Sequence, residues 1–322
     1  MYRIYNCNCI SGSKKYLKDK TVNLMVCDPP FGIQESLMDK HYNREASHII
    51  EGYQESPSDY YDFSFQWLKE AQRVLKDDGS LYIISGWSHL IDIMKVCDGL
   101  GMHLINHIIW KYNFGVCTSR KFVSSHYHIL YLKKSSKSKV TFNTYCRYSQ
   151  FEKEQSGKSS LYIDLEDVWH INKEYQQGGN KNQNKLPEKL LEKIILYSSN
   201  EGDIVCDFFL GNFTTAIVAK KLNRIPYGFE INSNAFDISI KKLGEVDTGS
   251  RLRELPIIEN ACPKNQGKRI SSEEIDVIRK DYDHMLSSGE IKTKKEAIEK
   301  LCIKYQRGRF SIGNILKGTI IL

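Results

Sequence analysis

Asp28-Pro29-Pro30-Phe31 stands directly after the apolar run Val22-Asn23-Leu24-Met25-Val26-Cys27. Two consecutive prolines cannot extend a β-ladder, so the chain must leave the sheet along a stiff, extended path. The Asp28 carboxylate and the Asp28 and Pro29 carbonyls then point outward as acceptors, with the Phe31 ring beside them. Acceptors of that kind suit the two N–H groups of an exocyclic amine, and a ring suits the face of a flat base. A strand-ending turn with a packed Phe is the reading that four residues alone leave open.

A second constellation is Asp207-Phe208-Phe209-Leu210-Gly211-Asn212-Phe213-Thr214-Thr215. A buried strand turns at Gly211 into a helix whose first residues are small and hydroxylated. Ligands bind at such crevices, beside the carboxyl ends of strands. Roughly twenty residues on, Glu230 ends the next strand, where a carboxylate can accept from both hydroxyls of a ribose. One glycine in the turn argues against a pyrophosphate, so a nucleoside without phosphates fits better, S-adenosylmethionine above all. Asp207, Phe209, Gly211, Asn212, Phe213, Thr214 and Glu230 are therefore the cofactor candidates, with Asp28 at the reacting end. His126 and His128 alternate as a metal pair would, but without a nearby third ligand they read as structural or DNA-facing. No metal is expected, and no Cys–base arrangement for covalent catalysis is present.

These residues need a scaffold, and the pattern supplies a wound α/β sheet with helices on both faces. Strands are expected at 22–27, 81–84, 105–110, 126–132, 204–208 and 226–230. Helical spacing runs through Trp67, Leu68, Ala71, Val74 and Leu75 and stops at Asp77-Asp78-Gly79. Further helices cover 89–97, 187–198, 214–222 and 234–243, the second of these opened by Pro187. Residues 34–58 read as a polar loop or cover. Residues 135–184 read as a loop-rich insert without lasting periodicity, followed by the domain's end near 250. A linker spans 251–268, and 269–322 carries three apolar helical stripes. The basic turn Arg307-Gly308-Arg309 between the last two gives the outline of a helix-turn-helix, or else of a helical oligomerisation tail.

The chain has 322 residues, 41% hydrophobic and 26% charged, which excludes a largely disordered protein. No run of 18 apolar residues occurs, so no membrane helix is expected. The start lacks the apolar core of a secretory signal, and the nine cysteines are scattered. Buried thiols in a cytoplasmic protein are the expectation. The net charge of +7 is unevenly placed. Between Lys111 and Gln150 there are Lys111, Arg120, Lys121, Lys133, Lys134, Lys137, Lys139 and Arg147, and no Asp or Glu. Such a stretch suits a polyanion, or is a solvated basic surface.

The order of the two constellations resembles the β-group amino-methyltransferases of DNA, which modify adenine N6 or cytosine N4. In that family a D/S-P-P-Y/F/W motif precedes an F-x-G-x-G cofactor motif, as Asp28–Phe31 precedes Phe209–Phe213 here. His107–Lys111 and Ser125–Tyr131 look like the family's later core strands. Lys185-Leu186-Pro187-Glu188-Lys189-Leu190 resembles its K-P-x-x-L helix, which walls the methionine end of the cofactor. The resemblance spans about residues 1–245 and implies a Rossmann-like methyltransferase sheet with a small all-α C-terminal module. Asn8 stands where the family often has an Asp on the cofactor adenine, Phe213 replaces the second glycine, and Leu186 separates Lys185 from Pro187.

The resemblance implies methyl transfer from S-adenosylmethionine to a flipped base in double-stranded DNA, catalysed through Asp28, Pro29, Pro30 and Phe31. Asp at the first motif position favours adenine N6 over cytosine N4. The basic residues from Lys111 to Arg147, with Arg307 and Arg309, would then touch phosphates. Asn143, Arg147, Gln150, Asn180 or Gln183 could read bases. A cognate restriction endonuclease and a homodimer are the further partners implied. A DNA-binding regulator on a silent methylase fold stays open, as does an RNA or protein acceptor.

Overall fold

The computed structural model describes residues 1–30, 59–113, 122–143, 165–172, 185–254, 270–288, 293–305 and 307–318, with positions 115, 117, 119, 120 and 291. Phe31, Lys121, Arg147, Gln150, Asn180, Gln183 and the expected loop at 34–58 lie outside the described residues.

Apolar runs bounded by turn residues form β1 (Arg3–Asn6), β2 (Val22–Cys27), β3 (Leu75–Ser85) and β4 (His103–Lys111). The same rule gives β5 (His126–Lys133), β6 (Val168–His170), β7 (Ile204–Asp207) and β8 (Ile225–Glu230). They join one sheet in the order β1-β8-β7-β2-β3-β5-β4-β6. Every pairing is parallel except those of β5 with β3 and β4. The carboxyl ends of β1, β8, β7 and β2 therefore lie side by side along one edge. The chain leaves β2 toward β3 on one side, while β7 flanks β2 on the other. That reversal is the crevice at which α/β sheets bind ligands.

Helices α1 (Cys9–Tyr16), α2 (Tyr60–Val74) and α3 (Leu90–Gly99) cover one face. There Cys9, Trp67, Leu68, Ile93 and Val96 pack with Leu81, Ile83, Leu130 and Phe229. Each large side chain so buried stabilises the fold by roughly 1.5–3 kcal/mol. The other face carries α4 (Glu188–Ser198), α5 (Thr214–Lys221) and α6 (Ser233–Glu245). Tyr82, which alternates with Leu81 and Ile83, meets that side through its hydroxyl, 2.7 Å from Ser198 Oγ.

Four features depart from the sequence expectation. β1 and α1 were not foreseen, because β1 is short and half-exposed and α1 holds Ser11, Gly12 and Ser13. Asp77-Asp78-Gly79 does not terminate a helix: α2 ends at Val74 and these residues form an irregular stretch within β3. Within the insert, Val168-Trp169-His170 pairs with β4 as a parallel edge strand. A short helix, α7 (Ser250–Glu254), occupies the first residues of the expected linker, with Arg251 Nε 2.6 Å from Glu192 Oε1.

The direction of β5 also divides the basic stretch. Lys111 and Arg120 stay near the carboxyl edge of the parallel strands. β5 then runs back across the sheet, about 24 Å for eight residues, and delivers Lys133, Lys134, Lys137 and Lys139 to the opposite edge. Lys134 Nζ donates there to the Leu75 carbonyl at 2.8 Å, and Lys133 Nζ to the carbonyls of Ser136 and Ser138. These four lysines are removed from the expected DNA cleft.

The chain divides into two compact units, Met1–Phe142 with Tyr162–Leu255, and Asn143–Leu161 with Pro256–Leu322. The second holds α8 (Ser272–Ser287), α9 (Lys294–Tyr305) and α10 (Arg309–Lys317). Ile275, Ile278, Leu301, Ile312 and Ile315 form its core. Arg307 is not the exposed phosphate contact expected: its side chain is 4% exposed and pairs with Glu274 at 2.7 and 2.9 Å. The turn it occupies is folded inward, so the guanidinium anchors α8. Arg309 remains exposed at the start of α10. Among the described residues, no helix is long and apolar enough to cross a membrane. Cys9, Cys27, Cys97, Cys206 and Cys302 are buried free thiols.

Candidate active site

β2 and β7 pair in parallel with Met25 opposite Cys206. The two turns that follow, Asp28-Pro29-Pro30 and Phe208-Phe209-Leu210-Gly211, are thereby neighbours at the carboxyl edge. Asp28 is half-buried and Pro29 buried. Tyr60, the first residue of α2, donates its hydroxyl to the Pro30 carbonyl at 3.0 Å. His89 stacks on the Tyr60 ring at 3.9 Å, and its Nδ1 lies 3.2 Å from Asp92 Oδ2. About two turns further along α2, Trp67 meets the Phe209 ring edge-on at 5.3 Å. A single helix thus fixes both turns. Sequence spacing could not reveal this clamp, because Tyr60, Trp67 and His89 meet their partners only through the fold.

The second turn is built on two carboxylates. Asp207 Oδ1 accepts from the Phe209 N–H at 2.8 Å. Glu230 accepts from the Gly211 N–H at 2.7 Å through Oε2 and from the Asn232 N–H at 2.7 Å through Oε1. Gly211 has φ +50°, and a Cβ there would meet nothing within 4 Å, so its surface is open to a ligand. Gly228 is required for a different reason: a Cβ would lie 2.4 Å from the Asp207 carbonyl.

Phe213 departs from the expected cofactor contact. Its backbone is left-handed, φ 60° and ψ 23°, and its ring is fully buried against Leu210, Ala216 and Leu243. The conformation is the one a glycine would favour, yet the ring points into the core and leaves the Gly211 surface clear. Thr214 is buried as the first residue of α5. Asn212 is half-buried in the same turn. Asn8 is exposed and caps α1, its Oδ1 accepting from the N–H groups of Ile10 and Ser11. Asn6 Nδ2 donates to the Glu230 carbonyl at 2.8 Å, bringing Asn8 to the same edge as Glu230. Lys185 is 3.3 Å from Glu188 Oε1, while Lys221 holds Oε2 at 2.8 Å.

Burial pushes the Asp207 carboxyl up to about 7, reinforced by Glu230 and opposed by bonds from the Phe209 N–H and the Thr215 side chain. Burial likewise raises Glu230, against three backbone N–H groups. The folded Asp207 value lies above its unfolded value of 3.8. The folded chain therefore keeps a proton that the unfolded chain has lost, and stability falls as pH rises from about 4 to about 7. Asp207→Asn should be more stable than the wild type at pH 8, by ~4 kcal/mol at most, and nearly equal to it at pH 4. Urea unfolding across that range checks this; a wild-type disadvantage that persists undiminished at pH 4 would refute it.

The DNA methylase family model, N6_N4_Mtase, matches residues 22–241. The chain belongs to this family of DNA methylases. The Haemophilus parainfluenzae type II methyltransferase M.HpaI is 31% identical over 232 residues, 71% of this chain and 70% of that protein. The DNA adenine methyltransferase YhdJ of Escherichia coli strain K12 is 29% identical, over 81% of this methylase and 89% of its own length. The structure of the cytosine-N4-specific PvuII DNA methyltransferase superposes with a TM-score of 0.55 at 16% identity, covering 76% of this chain and 90% of that one. That likeness establishes the methylase's α/β fold.

Proposed function

We propose that the methylase modifies adenine N6 in duplex DNA, with S-adenosylmethionine as donor and Asp28 as the residue that engages the amine. The observation carrying this reading is the register of β2 with β7, which sets the Asp28-Pro29-Pro30 turn beside the Gly211 turn. The open surface at Gly211 and the Glu230 carboxylate at the end of β8 fit a ribose and its nucleoside. Bound there, S-adenosylmethionine supplies an electrophilic sulfonium methyl group.

The exocyclic amine is a poor nucleophile because its lone pair is delocalised into the ring. Asp28 and the Pro29 carbonyl accept its two N–H groups and favour a pyramidal nitrogen, which frees the lone pair for in-line attack. The Tyr60 hydroxyl on the Pro30 carbonyl keeps those acceptors in place. Phe31 holds the base, whose removal from the stack costs a few kcal/mol. Positioning supplies much of the acceleration. In the second unit, Arg309 on α10 gives the helical module an exposed cation for phosphate.

Adenine is favoured by Asp at the first motif position and by the adenine specificity named for YhdJ. Cytosine N4 is the second reading, favoured by the fold shared with a cytosine-N4-specific enzyme. Duplex DNA treated with the protein and labelled S-adenosylmethionine should yield N6-methyladenine on digestion and mass spectrometry. N4-methylcytosine alone would overturn the adenine assignment, and DNA binding without any label transfer would favour a silent regulator.

A further inference from the structure

The pairing of β4 with β5 and β6 sets four histidine rings and a lysine on one face outside the site described so far. Lys111 is opposite His126 on β5 and opposite His170 on β6. One row deeper, Ile109 pairs with His128 and with Val168. On the same face His107 Nε2 lies 2.8 Å from His128 Nδ1, and the His126 and His128 rings are 5.0 Å apart. His107 is the ring that the sequence could not place beside the His126–His128 pair.

Helices α1, α2 and α3 cover this face over β2, β3 and the inner part of β5, where Met25, Ile83 and Leu130 are buried. Over the outer strands His107, His126, His170 and Val168 are exposed. The sheet there is bare among the described residues, at the carboxyl edge that also carries Asp28. Its charge has one sign. β4 contributes His107 and Lys111, β5 contributes His126 and His128, and β3 contributes only the buried Ser85 opposite His128. The carboxylates entering β6, Glu166 and Asp167, line the opposite face with Tyr82, Asn106 and Trp169. Asp92 on α3 is engaged by His89. Four of the chain's nine histidines and a lysine thus form a strip that no carboxylate faces among the described residues.

We propose that His126, Lys111 and His170, backed by the His107–His128 pair, form a row that seats the phosphates of duplex DNA against the bare sheet. The proposal rests on the DNA-methylating function and says where the duplex lies. It supplies the cationic surface that β5 carries away when it takes four lysines to the far edge. Burial, with His107 and His126 beside it, pushes His128 down to about 4. His128 is therefore neutral near pH 7 and can accept at Nδ1 from His107 Nε2. Phosphate favours the protonated imidazole, so binding takes up protons. Affinity for duplex must rise as pH falls and weaken as pH rises.

Fluorescence anisotropy of the full chain with a labelled duplex, from pH 5.5 to 8 and at several salt concentrations, tests the row. Wild-type affinity should rise about tenfold from pH 8 to pH 6. His126→Ala/His170→Ala should flatten that profile, and Lys111→Ala should lower the salt slope by about one. S-adenosylmethionine binding measured on each variant controls for folding. A double variant with wild-type affinity, pH profile and salt slope would overturn the row while leaving the function intact. A wild-type chain that binds no duplex at any pH would overturn both. Conversion of a wild-type dimer to monomer by the double variant, seen by light scattering, would assign the face to a second copy of the chain and sink the proposal.

Discussion

Asp28→Ala should lower methyl transfer to duplex DNA by about 10³-fold or more, with the fold and duplex binding retained. Asp28 lies past the last residue of β2, half-buried at the sheet edge, so its removal leaves the β2 ladder and the buried Pro29 unchanged. On the proposed mechanism, what it removes is the acceptor that draws the amine toward a tetrahedral geometry. Asp28→Asn keeps an acceptor oxygen without the charge and should fall between the two. Single-turnover label transfer, with circular dichroism and thermal unfolding as controls, measures the ordering Asp, Asn, Ala. Turnover by the alanine variant within tenfold of wild type would remove Asp28 from the reaction.

The second large effect concerns stability. Phe213→Gly should relieve a left-handed backbone that costs a β-carbon-bearing residue about 1–2 kcal/mol. It also deletes a fully buried ring, which for a Phe-to-Ala change costs about 3–5 kcal/mol. The loss of the ring wins, and the glycine variant should be less stable than the wild type by roughly 2–4 kcal/mol. Phe213→Ala loses the ring and keeps the strain, so it should be less stable again by about 1 kcal/mol. Urea midpoints of the three proteins report both terms. A glycine variant no less stable than wild type would contradict the buried ring at 213. Equal glycine and alanine variants would contradict the strain. Catalysis at temperatures where the variants remain folded should persist, because the ring faces Leu210, Ala216 and Leu243 and not the Gly211 surface.

The central strands were legible because their sequences carry both a pattern and an end. β2 is an apolar run stopped by Asp28-Pro29-Pro30, and β7 is stopped by a turn whose Gly211 adopts positive φ. Helix α4 showed its period through Leu190, Leu191, Ile194 and Ile195, and α5 and α6 lie within two residues of the expected 214–222 and 234–243. β1 gave no such signal, since a four-residue edge strand buries too little to impose a pattern. β6 is three residues long and owes its existence to pairing with β4. Asp77-Asp78-Gly79 carries turn residues, yet irregular pairing with β2 absorbs them inside a strand. In the site, Asp28, Asp207 and Glu230 could be chosen from their positions at or just past strand ends. The inward turn of Arg307 onto Glu274 and the ring contacts of Tyr60 and Trp67 are tertiary facts that no local pattern encodes. The orientation of β5 is another, and it decides which lysines can reach the catalytic edge.

The pairing of β1 with β8 bears on how the protein is made. Asn6 and Glu230, joined by a hydrogen bond, are 224 positions apart, and β8 is the strand to which β1 is paired among the described residues. During synthesis at ~5–20 residues per second, β1 waits roughly 10–45 s before its partner leaves the ribosome. Until then α1, capped by Asn8, has no Phe229 to pack against, and the β1–β8 side of the crevice does not exist. Ligand capacity in the nascent chain therefore arrives late and all at once, as the strand synthesised early closes onto one synthesised more than two hundred residues later.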